Sequence, residues 1–291
     1  MGAVHTVTVV GAGVMGRGIA LAAARAGFGT RVLEPSAAAA ASARAEIERI
    51  LARSVDRGEV TAETADAARS RISWTADAAT AAAGADLVIE AVPESPDLKA
   101  AIYRDLAPHL APGAVIATNT SSLGITELAA TSDRPDSFLG MHFFNPVHRM
   151  RLIELVRGRD TSAETVALAE EVARAMGKET VLVRESPGFV TTRINALIGN
   201  EAFAMLEAGV ASARDIDKAL KLGLNHPMGP FEMIDLVGLD TRLYILEYLH
   251  RTLGEKYRPN PLHVEYVRAG RLGRKVGRGI YDYPSEPGAA R

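Results

Sequence analysis

The sequence predicts an α/β fold with a mainly parallel sheet, followed by a smaller all-helical domain. Short runs of β-branched residues alternate with helical patterns before Pro187, and this alternation is typical of β-α-β units whose strands run parallel. After Ser186-Pro187-Gly188 the strand pattern nearly vanishes and the chain becomes mostly helical. We therefore expect one domain at residues 1–186 and a second at residues 187–291.

The first domain is predicted to begin with a strand, a tight turn and a helix. The run His5–Val10 is rich in β-branched residues, a glycine cluster follows it, and Ile19–Ala26 is rich in alanine. A second strand at Thr30–Leu33 precedes a long amphipathic helix at Ala37–Arg57. Further strands are predicted at Asp86–Val92, Ala114–Ala117, Ser137–His142 and Arg151–Val156.

The second domain is predicted to consist of helices, and the residues from Pro284 onward to form an irregular tail. No strand pattern of comparable length occurs in this part of the sequence. The predicted helices are Thr191–Gly209, Ser212–Leu220, Phe231–Leu253 and Pro261–Ala269.

Composition excludes several classes of protein. The 33 basic and 35 acidic residues give a net charge of −2, so the chain lacks the positive field that holds nucleic acid or an anionic membrane. The absence of cysteine excludes disulfide scaffolds, thiolate metal sites and cysteine nucleophiles, and we expect no metal site. No apolar run approaches the length of a membrane span. The N-terminus lacks the pattern of a secretory signal, so we expect a cytoplasmic protein.

A glycine-rich turn follows the first predicted strand. Gly11-Ala12-Gly13-Val14-Met15-Gly16 matches the G-x-G-x-x-G pattern at the junction between strand and helix. In such a Rossmann-type unit the first glycine forms the turn, the second lets a pyrophosphate approach the backbone, and the third allows close helix packing. The helix N-terminus adds N–H donors and a positive dipole end. The alternative is a glycine-rich turn without a ligand.

Glu34 ends the second predicted strand, 21 residues after Gly13. A carboxylate at this place can accept hydrogen bonds from the ribose hydroxyls of NAD, and it would repel the 2′-phosphate of NADP. Arg31 lies close to Glu34 in the sequence and leaves some tolerance of NADP open. The turn and Glu34 together predict NAD as the cofactor.

His142 and Glu154 lie on two strands that Asn145-Pro146 is expected to join in an antiparallel pair. If the pairing is centred near Val147–His148, the two side chains share one face of the sheet. A carboxylate there fixes the tautomer of the imidazole and stabilises the imidazolium, and the histidine can take a proton from an alcohol. The alternative is a core histidine bonded to the backbone, with Glu154 exposed to solvent.

Asn119-Thr120-Ser121-Ser122 follows a predicted strand and so lies at the carboxyl edge of the sheet, where α/β folds bind their ligands. Its short polar side chains could hold a substrate oxygen. The alternative is that Ser122 or Thr126 only caps the next helix.

Together these residues resemble the 3-hydroxyacyl-CoA dehydrogenase family over nearly the whole chain. The order and spacing of the matching motifs are more specific than any one of them. The motifs are Gly11–Gly16, Glu90-Ala-Val-Pro-Glu94, Asn119-Thr-Ser-Ser122, His142-Phe-Phe-Asn-Pro146, Glu154, Pro187-Gly-Phe189, His226-Pro-Met-Gly-Pro230 and Gly270-Arg-Leu-Gly-Arg-Lys275.

The resemblance implies NAD-dependent oxidation of a short-chain L-3-hydroxyacyl-CoA, such as 3-hydroxybutyryl-CoA, to the 3-ketoacyl-CoA. It also implies a homodimer formed through the helical domain. The roles it implies are His142 as general base with Glu154 as its partner, Ser121 on the reacting oxygen, Asn145 orienting the nicotinamide or the substrate carbonyl, Glu94 and Lys99 at the NAD ribose and nicotinamide, and Gly11, Gly13, Val14, Met15, Gly16 and Glu34 binding the rest of NAD.

One position departs from the family pattern Pro-Gly-Phe-x-x-Asn-Arg. Here Pro187-Gly-Phe-Val-Thr-Thr192-Arg193 places Thr192 where the family has asparagine. Threonine offers a donor and an acceptor on a shorter arm. We expect Thr192 to contact the substrate, with an altered rate or substrate range.

The phosphates of CoA need a cationic site. Arg49, Arg53 and Arg57 recur every four residues on the long predicted helix and so share one face. We expect Arg53 and Arg57 to contact CoA; the alternative is a solvated charged face.

Other functions remain open on the sequence alone. Ser121, His142 and Glu154 could form a hydrolase triad, but no G-x-S-x-G pattern surrounds Ser121. The remaining alternatives are a dehydrogenase of free hydroxyacids or sugar acids on the same scaffold, and an NAD-binding protein without catalytic activity.

Overall fold

A computed structural model describes residues 4–283, and these form two compact units that divide between Ser186 and Pro187. The tail predicted from Pro284 lies outside the described residues. Within residues 4–283, no helix is both long enough and apolar enough to cross a bilayer.

The first unit is built on one eight-stranded sheet with the strand order β3-β2-β1-β4-β5-β6-β7-β8. Neighbouring strands pair in parallel from β3 to β6, β6 and β7 pair antiparallel, and β7 and β8 are parallel to each other. This confirms the predicted mainly parallel sheet with reversed strands at one edge. The strands are β1 Thr6–Val10, β2 Gly29–Leu33, β3 Ile72–Thr75, β4 Leu87–Glu90, β5 Val115–Thr118, β6 Phe138–Phe143, β7 Leu152–Arg157 and β8 Glu179–Arg184.

Helices connect these strands, and side-chain caps fix where several of them begin. Ser36, Ser95 and Ser162 each accept a hydrogen bond from a backbone N–H of the first helical turn, which satisfies a donor that the helix itself cannot. The helices of the first unit are α1 Val14–Arg25, α2 Ala37–Asp56, α3 Ala62–Ser70, α4 Ala78–Ala82, α5 Pro96–Leu106, α6 Ile125–Ala129 and α7 Ala163–Ala175.

The core of the first unit lies between the central strands and the helices that cover them. Val9 of β1, Ile19 of α1 and Ile89 of β4 have no exposed surface, and burial of such side chains is worth about 1.5–3 kcal/mol each. The segment after β6 packs on α1, because a Cβ built at Gly18 would lie 2.9 Å from the Val147 side chain. The strand ends that carry polar side chains are therefore held on a rigid frame.

The second unit is helical, as predicted, but one helix differs from the prediction. The expected helix Phe231–Leu253 is broken at Gly238, whose φ of +106° ends one helix before the next begins. A conformation with positive φ suits glycine, which has no Cβ to clash. The helices are α8 Thr191–Glu207, α9 Ala213–Gly223, α10 Pro230–Val237, α11 Leu239–Leu253 and α12 Pro261–Arg268.

The core of the second unit is aromatic. Phe203 and Phe231 meet edge to face with ring centroids 5.3 Å apart, and His263 stacks on Phe203 at 4.6 Å with nearly parallel rings. All three side chains are buried.

Candidate active site

The turn between β1 and α1 has the geometry of a phosphate-binding loop. Gly11 has a φ of +96°, and a Cβ at Gly16 would lie 1.9 Å from the carbonyl oxygen of Gly11, so these positions require glycine. A Cβ at Gly13 would meet nothing within 4 Å, which leaves open space in front of the backbone. Gly13 caps α1 without a side-chain hydrogen bond. The first N–H groups of α1, at Val14 and Met15, can therefore bind an anion.

Glu34 lies beside this turn, one residue beyond the end of β2. Its Oε2 accepts a hydrogen bond from the Ala12 N–H at 3.0 Å, and its Oε1 accepts one from the Ser36 N–H at 2.9 Å. These bonds fix the carboxylate, and Glu34 lines a groove of about 660 Å³ together with Gly11 and Gly13. A groove of this volume is within the range of cofactor sites. The residues present therefore fit a dinucleotide with a free ribose hydroxyl.

A buried ion pair, Glu90–Lys99, lies at the end of β4, the strand next to β1 in the sheet. Glu90, at the end of β4, accepts hydrogen bonds from Lys99 Nζ at 2.7 and 2.9 Å, and from the hydroxyls of Tyr103 at 2.8 Å and Thr118 at 2.7 Å. Glu90 and Lys99 have no exposed side-chain surface. A buried carboxylate needs such partners because isolated burial of a charge is very costly.

Two findings in this network differ from the sequence-based prediction. Lys99 is enclosed, and its Nζ lies 3.5 Å from Glu94 Oε2, so it contacts Glu94 and Glu90 and does not itself face the groove. Glu90 belongs to one of the motifs that match the family, and the resemblance implies no role for it. The signal available in the sequence was a carboxylate at the end of a buried strand, which requires a cation or several donors nearby.

Glu94 organises the polar turn after β5. Its Oε1 accepts hydrogen bonds from the Thr120 hydroxyl, from the Ser121 N–H at 3.1 Å and from the Ser122 hydroxyl at 3.0 Å. The Ser121 hydroxyl makes no hydrogen bond within residues 4–283. Ser122 is thus a structural residue of the turn, while Ser121 presents its hydroxyl at the carboxyl edge of the sheet.

His142 and Glu154 lie directly opposite each other on the antiparallel strands β6 and β7. His142 Nδ1 and Glu154 Oε2 are 2.7 Å apart. Glu154 has no exposed surface and His142 is 8% exposed. An ionised carboxylate can only accept, so Nδ1 carries the proton of the neutral imidazole and Nε2 is its basic nitrogen. The arrangement can accept a proton at Nε2 and stabilise the resulting cation through Glu154.

An aromatic side chain, Phe144, and an amide side chain, Asn145, follow His142 in the sequence. The ring of Phe144 lies 4.6 Å from the imidazole, tilted by 51°, and so fixes one side of it. Asn145 is exposed, two residues beyond the end of β6. Its amide is available to a ligand at the carboxyl edge of the sheet.

The predicted substrate contacts fall in different places. Arg53 and Arg57 are exposed near the end of α2 and line a cavity of about 180 Å³ together with Pro146. Arg49 pairs with Glu46 and does not line this cavity. Thr192, in the first turn of α8, belongs to the second unit and is half-buried there. These substrate contacts stay predictions.

Within residues 4–283, no group of three or more histidine, cysteine, aspartate or glutamate side chains is arranged to hold a metal ion.

Comparisons with known proteins agree with this geometry. Residues 6–186 match the 3-hydroxyacyl-CoA dehydrogenase NAD-binding domain, and residues 188–283 match the C-terminal domain of the same family. The chain is 45% identical over 281 residues to 3-hydroxybutyryl-CoA dehydrogenase of Bradyrhizobium diazoefficiens, covering 96% of each chain. It is 44% identical to a probable 3-hydroxybutyryl-CoA dehydrogenase of Bacillus subtilis, over 96% of this chain and 98% of the relative.

A solved structure has the same fold throughout. The crystal structure of (S)-3-hydroxybutyryl-CoA dehydrogenase PaaH1 from Ralstonia eutropha superposes with a TM-score of 0.93 at 43% identity, covering 97% of this chain and all of that one. The predicted family, fold and cofactor are confirmed. The chain belongs to the 3-hydroxyacyl-CoA dehydrogenase family of NAD-dependent oxidoreductases.

Proposed function

We propose that this protein catalyses the reversible, NAD-dependent oxidation of a short-chain L-3-hydroxyacyl-CoA, with 3-hydroxybutyryl-CoA as its substrate, to the 3-ketoacyl-CoA. The observation that carries the proposal is the 2.7 Å contact between His142 and Glu154, within a unit that belongs to an NAD-binding family domain. NAD⁺, when bound, accepts a hydride from the carbon that bears the hydroxyl group.

His142 serves as the general base. Its Nε2 takes the proton of the substrate hydroxyl, and Glu154 stabilises the imidazolium that forms. Burial of Glu154 strengthens this effect, because the charge interaction is little screened by water. In the reverse direction the imidazolium returns the proton to the ketone oxygen as that oxygen becomes an alkoxide.

Ser121 and Asn145 position the reacting group. The Ser121 hydroxyl donates to the substrate oxygen, and its backbone is held by Glu94. Asn145 orients the nicotinamide or the substrate carbonyl. Hydrogen-bond donors fixed before the reaction lose little free energy to reorganisation during it.

The remaining wall of the site binds the cofactor and CoA. Glu94 meets the ribose and nicotinamide side, and Lys99 supports Glu94 from the protein interior. Glu34 selects NAD over NADP by charge repulsion. Arg53 and Arg57 are the proposed contacts of the CoA phosphates, and Thr192 is the proposed contact of the acyl portion.

A homodimer through the helical unit is supported by large apolar side chains that this unit exposes. Val210, Leu222 and Leu224 are 67%, 77% and 66% exposed, and a second copy that covered them would remove this apolar surface from water. A second copy of the chain is the proposed occupant. A role in fatty-acid β-oxidation and a cytoplasmic location stay predictions.

The decisive experiment measures NADH oxidation with acetoacetyl-CoA and, in parallel, with free acetoacetate. Turnover that requires the CoA ester, is faster with NADH than NADPH, and is lost in His142→Gln supports the proposal. Equal turnover of the free acid would favour a hydroxyacid dehydrogenase. NADH binding without turnover of any acyl-CoA in a chain-length series would favour a non-catalytic NAD-binding protein.

A further inference from the structure

A second cavity of the first unit, of about 300 Å³, lies apart from the nucleotide groove and is surrounded by basic side chains. We call it the basic pocket. It is formed by the end of α1, the segment after β6 and the residues between α7 and β8, and no carboxylate of residues 4–283 lines it. The basic residues that line it are Arg25, His148, Arg149, Arg151 and Lys178.

The basic pocket differs from other arginine-rich surfaces of this chain, where carboxylates neutralise the cations. Ion pairs of this ordinary kind are Arg49–Glu46, Arg69–Glu48, Arg258–Glu255 and Arg278–Asp282. In the basic pocket Arg151 pairs with Glu179 at 2.9 Å. Arg25 and Arg149 have no ion-pair partner in the described part of the chain. The cations repel one another, and an anion between them would relieve that repulsion.

Lys178 holds one charge of the pocket in place. Its Nζ donates hydrogen bonds to the carbonyl oxygens of Val147 and of Met150, the latter at 2.7 Å. An ordinary surface lysine can swing its ammonium group into water, whereas this one is tied to the segment after β6. Burial, with Arg25 nearby, lowers the pKa of Lys178. Burial, followed by Arg149 and Arg25, lowers the pKa of His148. Burial is the largest cause of both shifts, and the neighbouring arginines act in the same direction.

The ends of two helices explain only part of this charge. Arg25 ends α1 and Lys178 follows α7 by three residues, and the carboxyl end of a helix favours a nearby cation. Arg149 lies in the segment after β6 and serves neither helix end. The lowered pKa of His148 favours its neutral ring, so His148 offers a hydrogen bond rather than a charge. The surplus of positive charge is therefore suited to a ligand with more than one negative charge.

We propose that the basic pocket binds a small multivalent phosphate, inorganic diphosphate. The pocket adjoins the cavity that Arg53 and Arg57 line, because His148 and Arg149 line both, but Arg25, Arg151 and Lys178 line the basic pocket alone. Its volume lies at the lower limit of small-molecule pockets, which fits an anion of this size better than a whole cofactor. Arginine guanidinium groups bind phosphate oxygens in pairs. Because Arg149 lies in the segment after β6 and Lys178 is bonded to that segment, an anion that also contacts Arg25 would tie the segment to α1.

Calorimetric titration of the full-length protein with diphosphate, at constant ionic strength, tests the proposal. We expect one site per chain and a higher thermal unfolding temperature when it is filled. The double variant Arg25→Gln/Arg151→Gln removes one unpaired and one ion-paired arginine. It should lose about tenfold or more in affinity, since each charge-assisted hydrogen bond contributes about 1.5–3 kcal/mol. It should retain acetoacetyl-CoA turnover, which shows that it is folded.

The matched control is Arg104→Gln/Arg258→Gln, which also removes one unpaired and one ion-paired arginine, from exposed places away from the pocket. Affinity for diphosphate should be unchanged in this control. Equal loss in both double variants, or no binding to the wild type, overturns the proposal. Diphosphate should still bind when CoA and NAD are saturating; displacement by CoA would assign the cations to the phosphates of the substrate and refute a separate site. Diphosphate binding is measured without any turnover, and the thermal unfolding transition of each variant also shows that it is folded, so these outcomes can be separated from a failure of the proposed dehydrogenase function.

Discussion

The side-chain oxygen of Asn119 accepts a hydrogen bond of 2.8 Å from the backbone N–H of Phe143. Asn119 begins the turn that carries Ser121, and Phe143 follows His142 directly. β5 and β6 are neighbours in the sheet. This bond therefore joins their carboxyl ends, close to Ser121 after β5 and His142 at the end of β6. The spacing between the Ser121 hydroxyl and the His142 imidazole therefore depends on Asn119.

Asn119→Ala should lower kcat more than it raises the KM for NADH. The substitution leaves the Phe143 N–H without its acceptor, at a cost of about 1–3 kcal/mol in stability. It also lets the turn shift relative to His142, and a misplacement of about 1 Å can cost roughly a hundredfold in rate. Asn119→Asp keeps an acceptor oxygen and should recover part of the rate. Steady-state kinetics and urea unfolding measure both effects; an unchanged kcat in Asn119→Ala would show that the contact does not position the site.

The two members of the His142–Glu154 pair should respond differently to substitution. His142→Gln removes the proton acceptor and should lower kcat by about 10²–10⁴-fold, with little change in NADH affinity measured by fluorescence. Glu154→Gln keeps a hydrogen-bond acceptor for Nδ1 but removes the charge that stabilises the imidazolium. We expect a smaller loss of kcat, still at least about tenfold. If Glu154→Gln turns over as fast as the wild type, the carboxylate has no part in catalysis.

Local sequence patterns were sufficient for the buried parts of the fold. Strands such as β4 and β5 are buried at every position, so their apolar runs are clear. The pairing of His142 with Glu154 also follows from the sequence. In an antiparallel pair centred near His148, residues 142 and 154 are equally far from the centre and so lie opposite each other.

The features of the fold and of the site that the sequence did not predict depend mostly on contacts between residues far apart in the chain. The edge strands β3 and β8 lie outside the sequence-based prediction. β3 is short and mixes polar with apolar residues, whereas β8 carries the run Val181-Leu182-Val183, from which a strand could have been predicted. The contact between Asn119 and Phe143 spans 24 residues, and the Glu90–Lys99 pair forms only when α5 packs on β4. No local pattern specifies such pairs. A glycine such as Gly238 inside a helical pattern can be tolerated or can break the helix, and only packing decides.

Glu34→Gln should weaken NAD binding and relax the preference against NADP. The carboxylate accepts two backbone hydrogen bonds and is the proposed partner of the ribose hydroxyls. An amide is a weaker acceptor without the charge that repels a 2′-phosphate. We expect the KM for NADH to rise about tenfold and that for NADPH to fall or stay unchanged. The ratio of kcat/KM for the two cofactors is the measurement, and an unaltered ratio would contradict the assigned role.

Gly16→Ala should impair cofactor binding before it affects the proton-transfer step. The added Cβ would lie 1.9 Å from the Gly11 carbonyl oxygen, which forces the turn and α1 apart at a cost of at least about 1–3 kcal/mol. Gly113→Ala is the control, because its Cβ would meet nothing within 4 Å. Isothermal titration with NADH should show weaker binding in the first variant alone. Equal affinity in the two variants would mean that the close packing of Gly16 is not required.

His263 should make the protein less stable as the pH falls below about 6.5. Its Nε2 donates to the Leu239 carbonyl oxygen at 2.9 Å, and its buried Nδ1 has no hydrogen-bond partner within residues 4–283. Burial therefore disfavours the protonated ring and lowers the pKa of His263 to about 4. Between the pKa of the unfolded chain, about 6.5, and the folded value, the unfolded state binds more protons, so stability is lost on acidification. The loss from this group should reach about 3 kcal/mol near pH 4 and then level off.

Urea unfolding of the wild type and His263→Phe at several pH values isolates this contribution, because the variant keeps the stacking on Phe203 but cannot be protonated. A wild-type stability that falls with pH no more steeply than that of His263→Phe would refute the prediction.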